Sequence, residues 1–141
     1  MIPSDTEAQL RLPRLTRFLL VLTTVFAFTV PTSAPASAAV YPTCTIARCD
    51  DARTARAGWA ALGFPTSRGW YYWSPTGLYN FTGGRHYNRE RQLPVAATYY
   101  EYDLYSRDRG ARRDALRIVV NRATGATWFT PDHYRNFYRL N

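Results

Sequence analysis

The stretch of sequence that decides the fold begins with ATYYEYDLY at residues 97–105 and continues with LRIVVN at 116–121, TWF at 127–129 and NFYRL at 136–140. These runs are rich in aromatic and β-branched residues, which favour strands. Short turn segments that contain Gly, Asp or Pro separate them. Consecutive strands joined by short turns predict an antiparallel sheet in the C-terminal half.

One amphipathic helix is predicted before this sheet. Apolar residues recur at spacings of three and four, Asp50 or Asp51 is expected to be the N-cap, and Gly63 can end the helix. Residues 64–85 are crowded with Gly, Pro, Ser and aromatics, which predicts a loop region with a short second helical turn. The fold class is therefore predicted to be α+β, an N-terminal helix packed on a C-terminal antiparallel β-sheet. The apolar positions of the helix are Ala52, Ala55, Trp59 and Leu62.

The N-terminal segment has the pattern of an export signal. Three arginines at 11–17 precede an apolar run at 18–30, and an A-x-A cleavage site ends at Ala38. We therefore expect 1–38 to be a secretory signal peptide and 39–141 to be a single domain, secreted to the extracellular space and free of the membrane. An uncleaved anchor is the alternative, but the apolar run is too short to span a bilayer comfortably.

The charge of the predicted mature domain indicates an anionic partner. Its 103 residues contain 15 Arg and 8 acidic residues, a net charge of +7, together with 19 aromatic residues and no Lys. Guanidinium groups are planar forks that hold oxyanions bidentately, and aromatic faces stack on bases or sugars. The alternative is that the tyrosines fill a small β-rich core and the arginines keep the protein soluble.

The two cysteines, Cys44 and Cys49, have four residues between them. In an oxidising compartment such a pair is expected to form a small local disulfide, which contributes roughly 2 kcal/mol by closing a short loop. Two thiols without a nearby His do not make a tetrahedral ligand set, so no metal site is predicted.

Strand alternation predicts a cluster of charged residues on one face of the sheet. Glu101 and Asp103 share the face opposite Tyr102. In the next strand the apolar residues face the core, which leaves Arg117 on the other face, and Arg113 is aligned with it by parity. A carboxylate among guanidinium groups can act as a base, and the guanidiniums can hold a phosphate. A cross-strand salt bridge on a solvated face is the alternative.

Four ordered motifs then indicate a family. They are YNRERQLP at 87–94, YEY at 100–102, RDALRI at 113–118 and TPDHYRNF at 130–137. Together they resemble the secreted bacterial guanyl-specific ribonucleases of the barnase and streptomycete type, and the similarity runs from about residue 62 to the C-terminus. The resemblance implies the microbial ribonuclease fold. It also implies an endoribonuclease that cleaves single-stranded RNA after guanosine, leaving a 2′,3′-cyclic phosphate that opens slowly to the 3′-phosphate.

The resemblance also implies the catalytic residues. Glu101 would be the general base that takes the proton from the ribose 2′-OH, and His133 would be the acid that protonates the departing 5′-oxygen. Arg113 and Arg117 would hold the scissile phosphate. No metal or other cofactor is expected, because the nucleophile is intramolecular and the chemistry needs only proton transfer and positive charge.

A second group of residues is implied to bind guanine. Glu90 would accept hydrogen bonds from N1–H and the exocyclic amine, while the backbone N–H groups of Asn88 and Arg89 would address O6. Tyr134 would be a further nucleotide contact. His86 stands where this family usually has Phe beside the guanine pocket, and an imidazole can also stack on a base.

Further expectations concern partners and alternative functions. The resemblance implies an acidic intracellular inhibitor of the barstar type, and we expect a monomer. Arg56 falls, by spacing, where the barnase branch has a catalytic Lys, but a solvated helix Arg is the favoured explanation. Two other functions stay open: a carbohydrate-active hydrolase that uses Glu90 and Glu101 as its carboxylate pair, and a non-catalytic binder of RNA or another anionic polymer.

Overall fold

The computed structural model describes residues 38–141. The predicted signal peptide therefore lies, except for Ala38, outside the described residues. No helix in the described part of the chain is long and apolar enough to cross a bilayer. The elements within it are β1 (Val40–Tyr41), α1 (Cys49–Ala61), β2 (Gly69–Trp73), β3 (Leu78–His86), β4 (Tyr99–Asp103), β5 (Arg117–Asn121), β6 (Thr127–Thr130) and β7 (Phe137–Arg139).

The strands form one seven-stranded sheet in the order β1-β7-β6-β5-β4-β3-β2. All neighbours are antiparallel except β1 and β7, which are parallel. Helix α1 packs on β5 and β6. The predicted α+β class is confirmed, and the four predicted strands are confirmed as β4 to β7, with bounds that differ by at most two residues.

The N-terminus of α1 differs from the prediction in its cap. The N-cap is Arg48, whose φ is 71° and whose side chain makes no capping hydrogen bond. The predicted cap, Asp50 or Asp51, is wrong: both lie in the first turn, where a negative charge is favourable next to the positive end of the helix dipole. The predicted disulfide between Cys44 and Cys49 is confirmed. It ties the preceding loop to the first residue of the helix.

The C-terminus of α1 follows the predicted pattern for all but one residue. Gly63 has φ 71° and its N–H donates to the carbonyl of Ala60, so the predicted glycine stop is confirmed. Leu62 was expected on the buried face and is 43% exposed, because the helix has already ended at Ala61. The remaining apolar positions are buried against the sheet, namely Ala52, Ala55 and Trp59.

The prediction for residues 64–85 is wrong. This segment contains β2 and most of β3, an antiparallel hairpin, instead of a loop with a helical turn. Aromatic side chains stabilise it: Trp73 packs 5.1 Å from Trp59 of the helix, and Trp70 packs 5.0 Å from Phe81 across the hairpin. The glycines that suggested a loop produce instead an irregularity in the β3–β4 register, between Thr82 and Gly84.

The central strands are buried on both faces. Ile118 and Val120 of β5 pack with Tyr102 beneath α1, as strand alternation predicted. Val119, on the opposite face, belongs to a second cluster that is covered by the segment after β3. This second cluster fills only part of that face, and the remainder carries Glu101 and the arginines. The residues around Val119 in the second cluster are Leu93, Tyr99, Ala126, Trp128 and Phe137.

Candidate active site

Glu101 lies at the centre of the charged part of the sheet face. Its carboxylate is largely buried and accepts a hydrogen bond from the hydroxyl of Tyr134. Arg113 Nη2 lies 3.6 Å from Oε1, and His86 Nδ1 lies 3.9 Å from Oε2. A hydroxyl, a guanidinium and an imidazole therefore surround one carboxylate, which can accept a proton from a substrate that enters between them.

Gly83 makes room for this carboxylate. A Cβ atom built on Gly83 would stand 1.6 Å from Oε1 of Glu101, far inside van der Waals contact. Glycine is therefore required at this position if the carboxylate is to keep its place. Sequence reasoning missed this residue, because it had assigned the glycines of 82–84 to a loop.

The buried carboxylate of Asp103 organises the arginines. Arg113 donates to it through Nε, at 3.0 and 3.1 Å from the two oxygens, and through Nη2 at 2.6 Å. Arg117 Nε lies 3.2 Å and Arg107 Nη2 lies 3.8 Å from the same carboxylate. Burial opposes the charge of Arg113, but its hydrogen bonds and attraction to Asp103 outweigh that effect and raise its pKa.

The two predicted phosphate-binding arginines differ in accessibility. The side chain of Arg113 is 19% exposed, whereas that of Arg117 is 4% exposed. Arg117 is held by Asp103, by Asp114 Oδ1 at 3.3 Å, and by the carbonyl of Leu116 at 2.7 Å. Both arginines lie on the predicted sheet face, and Arg113 is the one that a ligand can reach.

His133 is presented by the tight loop between β6 and β7. Its φ is 55° and that of Tyr134 is 73°, and the loop is held in this shape by Asp132. Oδ1 of Asp132 accepts hydrogen bonds from the N–H groups of Arg135 and Asn136, at 3.1 and 2.9 Å. Burial opposes ionisation of Asp132, but the backbone and side-chain hydrogen bonds that its carboxylate accepts have the larger combined effect and lower its pKa. The loop leaves the imidazole of His133 exposed to solvent.

Two adjoining cavities connect His133 with Glu101. A cavity of about 310 Å³ is lined by His133, Tyr134, His86 and Glu90, and one of about 190 Å³ by Glu101, His86 and Glu90. Because His86 and Glu90 line both, the cavities meet there. Tyr134 links the two sides: its ring lies 4.7 Å from that of His133, and its hydroxyl binds Glu101. Burial raises the pKa of Tyr134, which keeps this hydroxyl protonated.

The loop after β3 positions Glu90. The side chain of Asn88 is buried and spans the loop, donating to the carbonyl of Leu93 at 2.7 Å and accepting from its N–H at 3.0 Å. Asn88 has φ 47°, and its carbonyl accepts from the N–H of Arg91 at 2.9 Å. Arg89 and Glu90 are exposed at the tip, and no ion pair of Glu90 occurs among the described residues. The carboxylate of Glu90 is therefore available to a ligand.

His86 contacts the site in a way that the sequence did not predict. Its ring packs against those of Tyr134, at 4.8 Å, and Phe137, at 6.1 Å. Burial lowers its pKa, although the charges of Glu101 and Glu90 act to raise it. His86 is thus a neutral imidazole near pH 7. Its Nε2 is buried without a hydrogen-bond partner among the described residues.

Arg56 does not belong to this site. Its Nε donates to Thr127 Oγ1 at 2.9 Å and its Nη2 to the carbonyl of Gly125 at 3.1 Å, which anchors the helix to the β5–β6 turn. The expectation of a solvated arginine is therefore wrong, and Arg56 makes no contact with Glu101. The pairing of Thr127 with Arg56 had no signal in the sequence.

The site combines a carboxylate, an imidazole and guanidinium groups around adjoining cavities. The first two can transfer protons and the guanidinium groups can bind phosphate, as an acid–base enzyme with a phosphate-containing substrate requires. No group of three or more His, Cys, Asp or Glu that could hold a metal ion occurs among residues 38–141.

A family model described as ribonuclease matches residues 36–141. The chain belongs to this ribonuclease family, and RNA cleavage by an endoribonuclease is its activity. No curated protein matches the sequence.

Proposed function

We propose that this ribonuclease cleaves single-stranded RNA after guanosine by transphosphorylation, and that it needs no metal. The observation that supports the proposal best is the arrangement around Tyr134, whose hydroxyl binds Glu101 and whose ring packs on His133. It links one candidate base and one candidate acid on adjoining cavities. Two groups that exchange protons with opposite sides of a phosphodiester are what transphosphorylation needs.

In the first step Glu101 accepts the proton of the ribose 2′-OH, and the 2′-oxygen forms a bond to phosphorus. The bond from phosphorus to the 5′-oxygen breaks, and protonated His133 gives its proton to that leaving oxygen. The product is a 2′,3′-cyclic phosphate. In the second step the two residues exchange roles, so that His133 activates water and Glu101 returns the proton to the 2′-oxygen.

Positive charge stabilises the phosphate in both steps. Arg113 Nη1 has no hydrogen-bond partner among the described residues, while Nε and Nη2 are fixed on Asp103. Its free edge is thus oriented in advance and can donate to a non-bridging oxygen. Arg117 contributes its charge from the buried side, where Asp103 and Asp114 hold it.

Guanine recognition is assigned to the loop after β3. The exposed carboxylate of Glu90 can accept from N1–H and the exocyclic amine of guanine, a pair of donors that adenine lacks. The N–H groups of Asn88 and Arg89 address O6. His86 and Tyr134 line the same cavity as Glu90 and supply aromatic surface for the base.

Export and partners complete the proposal. The pattern of residues 1–38 supports secretion to the extracellular space, followed by action as a monomer. The net charge of +7 on residues 39–141 favours an acidic intracellular inhibitor, because complementary charge accelerates association.

The test uses Glu101→Gln and Glu90→Gln, which keep size and remove charge. We expect Glu101→Gln to lower kcat on GpA by at least about a hundredfold, since the base is lost. Glu90→Gln should instead reduce the preference for GpA over ApA, because one guanine donor loses its acceptor. The control is Arg48→Gln, an exposed change at the start of α1. Retention of full activity by Glu101→Gln would refute the assignment of the base.

A further inference from the structure

A large open groove lies on the helix side of the sheet. It has a volume of about 950 Å³, and its lining includes Tyr100 and Arg85. The segments 95–98 and 121–124, the second of which contains Arg122, complete the lining. Tyr100 precedes Glu101 in β4, and consecutive residues of a strand point to opposite faces. The groove and the candidate active site are therefore back to back across the same strands.

The groove is cationic. No acidic residue lines it, and its two arginines are exposed. Within the described residues neither arginine has a carboxylate within 4.0 Å. Arg122 lies 5.8 Å from the ring centre of Tyr100 and donates to the carbonyl of Gly63 at 3.4 Å. Two guanidinium groups without anionic partners flank an aromatic ring, a combination that suits phosphates and bases together.

A path joins the groove to the cavity of Glu101. Arg85 lines both the groove and the 190 Å³ cavity. Next to it, Tyr87 is 64% exposed and lies 5.1 Å from the guanidinium of Arg85 and 5.6 Å from that of Arg89. This exposed ring between two arginines forms a stacking platform at the end of β3, where a chain can pass from one face of the sheet to the other.

We propose that the groove binds the part of a single-stranded RNA chain that extends beyond the nucleotide held in the active site. The inference rests on the proposed function, because it takes the 190 Å³ cavity as the place from which the RNA chain emerges. The groove offers what a polynucleotide needs, cations without competing carboxylates and aromatic surface along a continuous path. It makes long RNA a better substrate than a dinucleotide, which is too short to reach it.

Binding is tested with an oligothymidylate DNA of fifteen nucleotides, which carries neither guanine nor a 2′-OH, by fluorescence anisotropy. Arg122→Glu is expected to weaken binding at least about fivefold, and Arg122→Gln to lower the slope of log K against log salt by about 0.7, the contribution of one phosphate contact. The matched control is Arg48→Glu, which makes the same charge change roughly 20 Å away, at the other end of α1. Equal weakening by the two Glu variants, or no weakening by either, overturns the proposal.

A kinetic comparison separates this inference from the proposed function. Arg122→Glu should lower kcat/KM on a twenty-nucleotide RNA at least about fivefold and leave GpA unchanged. An equal loss of kcat/KM on both substrates would overturn the groove proposal. If the wild type does not cleave GpA but Arg122→Glu still binds oligothymidylate more weakly than Arg48→Glu does, the proposed function is refuted and the groove proposal is supported. If Arg122→Glu weakens the binding of polyglutamate but not that of oligothymidylate, the groove binds an acidic protein instead of RNA. That result would also overturn the groove proposal.

Discussion

Replacing the buried carboxylate of Asp103 tests the electrostatic organisation of the site. In Asp103→Asn the side chain keeps its size and loses its charge. Three guanidinium groups lie within 4.0 Å of this carboxylate, and one of them, Arg117, is only 4% exposed. Without the Asp103 charge, Arg117 stays buried with only the partly exposed Asp114 as its anionic partner, and breaking a buried ion pair costs about 3–5 kcal/mol. We expect the free energy of unfolding to fall by that amount.

The matched control is Asp114→Asn. Asp114 pairs with two of the same groups, Arg107 at 3.0 Å and Arg117 at 3.3 Å, but its side chain is 36% exposed. Because water screens an exposed pair, its loss should cost at most about 1 kcal/mol. The difference between the two variants isolates the effect of burial, since both remove one negative charge next to Arg117.

Urea unfolding followed by tryptophan fluorescence measures both variants, because Trp59, Trp73 and Trp128 are all buried in the folded state. For a domain of this size, 3 kcal/mol corresponds to a fall of at least about 12 °C in Tm, which calorimetry checks independently. Equal losses of stability in the two variants, or a loss below about 1 kcal/mol in Asp103→Asn, would show that the buried carboxylate does not stabilise the arginines in this way.

Three further predictions concern the neighbourhood of Glu101 and the disulfide. Gly83→Ala should lower RNA cleavage by about a hundredfold, because the added Cβ displaces the carboxylate of Glu101. Its control is Gly77→Ala, which should leave cleavage unchanged, since Gly77 has φ 71° and no atom near its Cβ position. Similar cleavage rates for the two variants would contradict this prediction. The pKa of His86 is lowered in the folded protein, so as pH falls the unfolded chain takes up this proton before the folded protein does. Urea unfolding between about pH 7.5 and pH 5 should therefore show that the wild type loses more stability than His86→Phe. Parallel pH profiles of the two proteins would disprove this prediction. Converting both cysteines to Ala should lower the free energy of unfolding by about 2 kcal/mol, and an unchanged urea midpoint would refute that contribution.

The charged sheet face could be predicted from the sequence because it depends on alternation alone. Once β4 and β5 are recognised, the period of two fixes which side of the sheet carries Glu101, Asp103 and Arg117. The structure adds what alternation cannot give, namely that Asp103 is fully buried and that it leaves Arg113 more accessible than Arg117. Those properties depend on loops and neighbouring strands that the local pattern does not describe.

The hairpin of β2 and β3 could not be predicted by the same means. Its residues include glycines and a proline that locally favour turns, and it becomes a strand pair only through contacts such as that of Trp73 with Trp59. Missing β3 also hid two features of the site: Gly83 beneath the carboxylate, and the contact of His86, which was predicted only beside guanine, with Glu101. The predicted helix cap was wrong because the helix already begins at the disulfide-bonded Cys49, before the two aspartates.

The proposed reaction is transphosphorylation after guanosine, with Glu101 as base and His133 as acid. The most direct test is the time course of products from GpA, ApA, CpA and UpA with the purified domain of residues 39–141, resolved by chromatography. We predict that GpA alone is cleaved efficiently, with guanosine 2′,3′-cyclic phosphate and adenosine formed first and guanosine 3′-phosphate later. Direct formation of the 3′-phosphate without the cyclic product, or equal rates on all four dinucleotides, would contradict it.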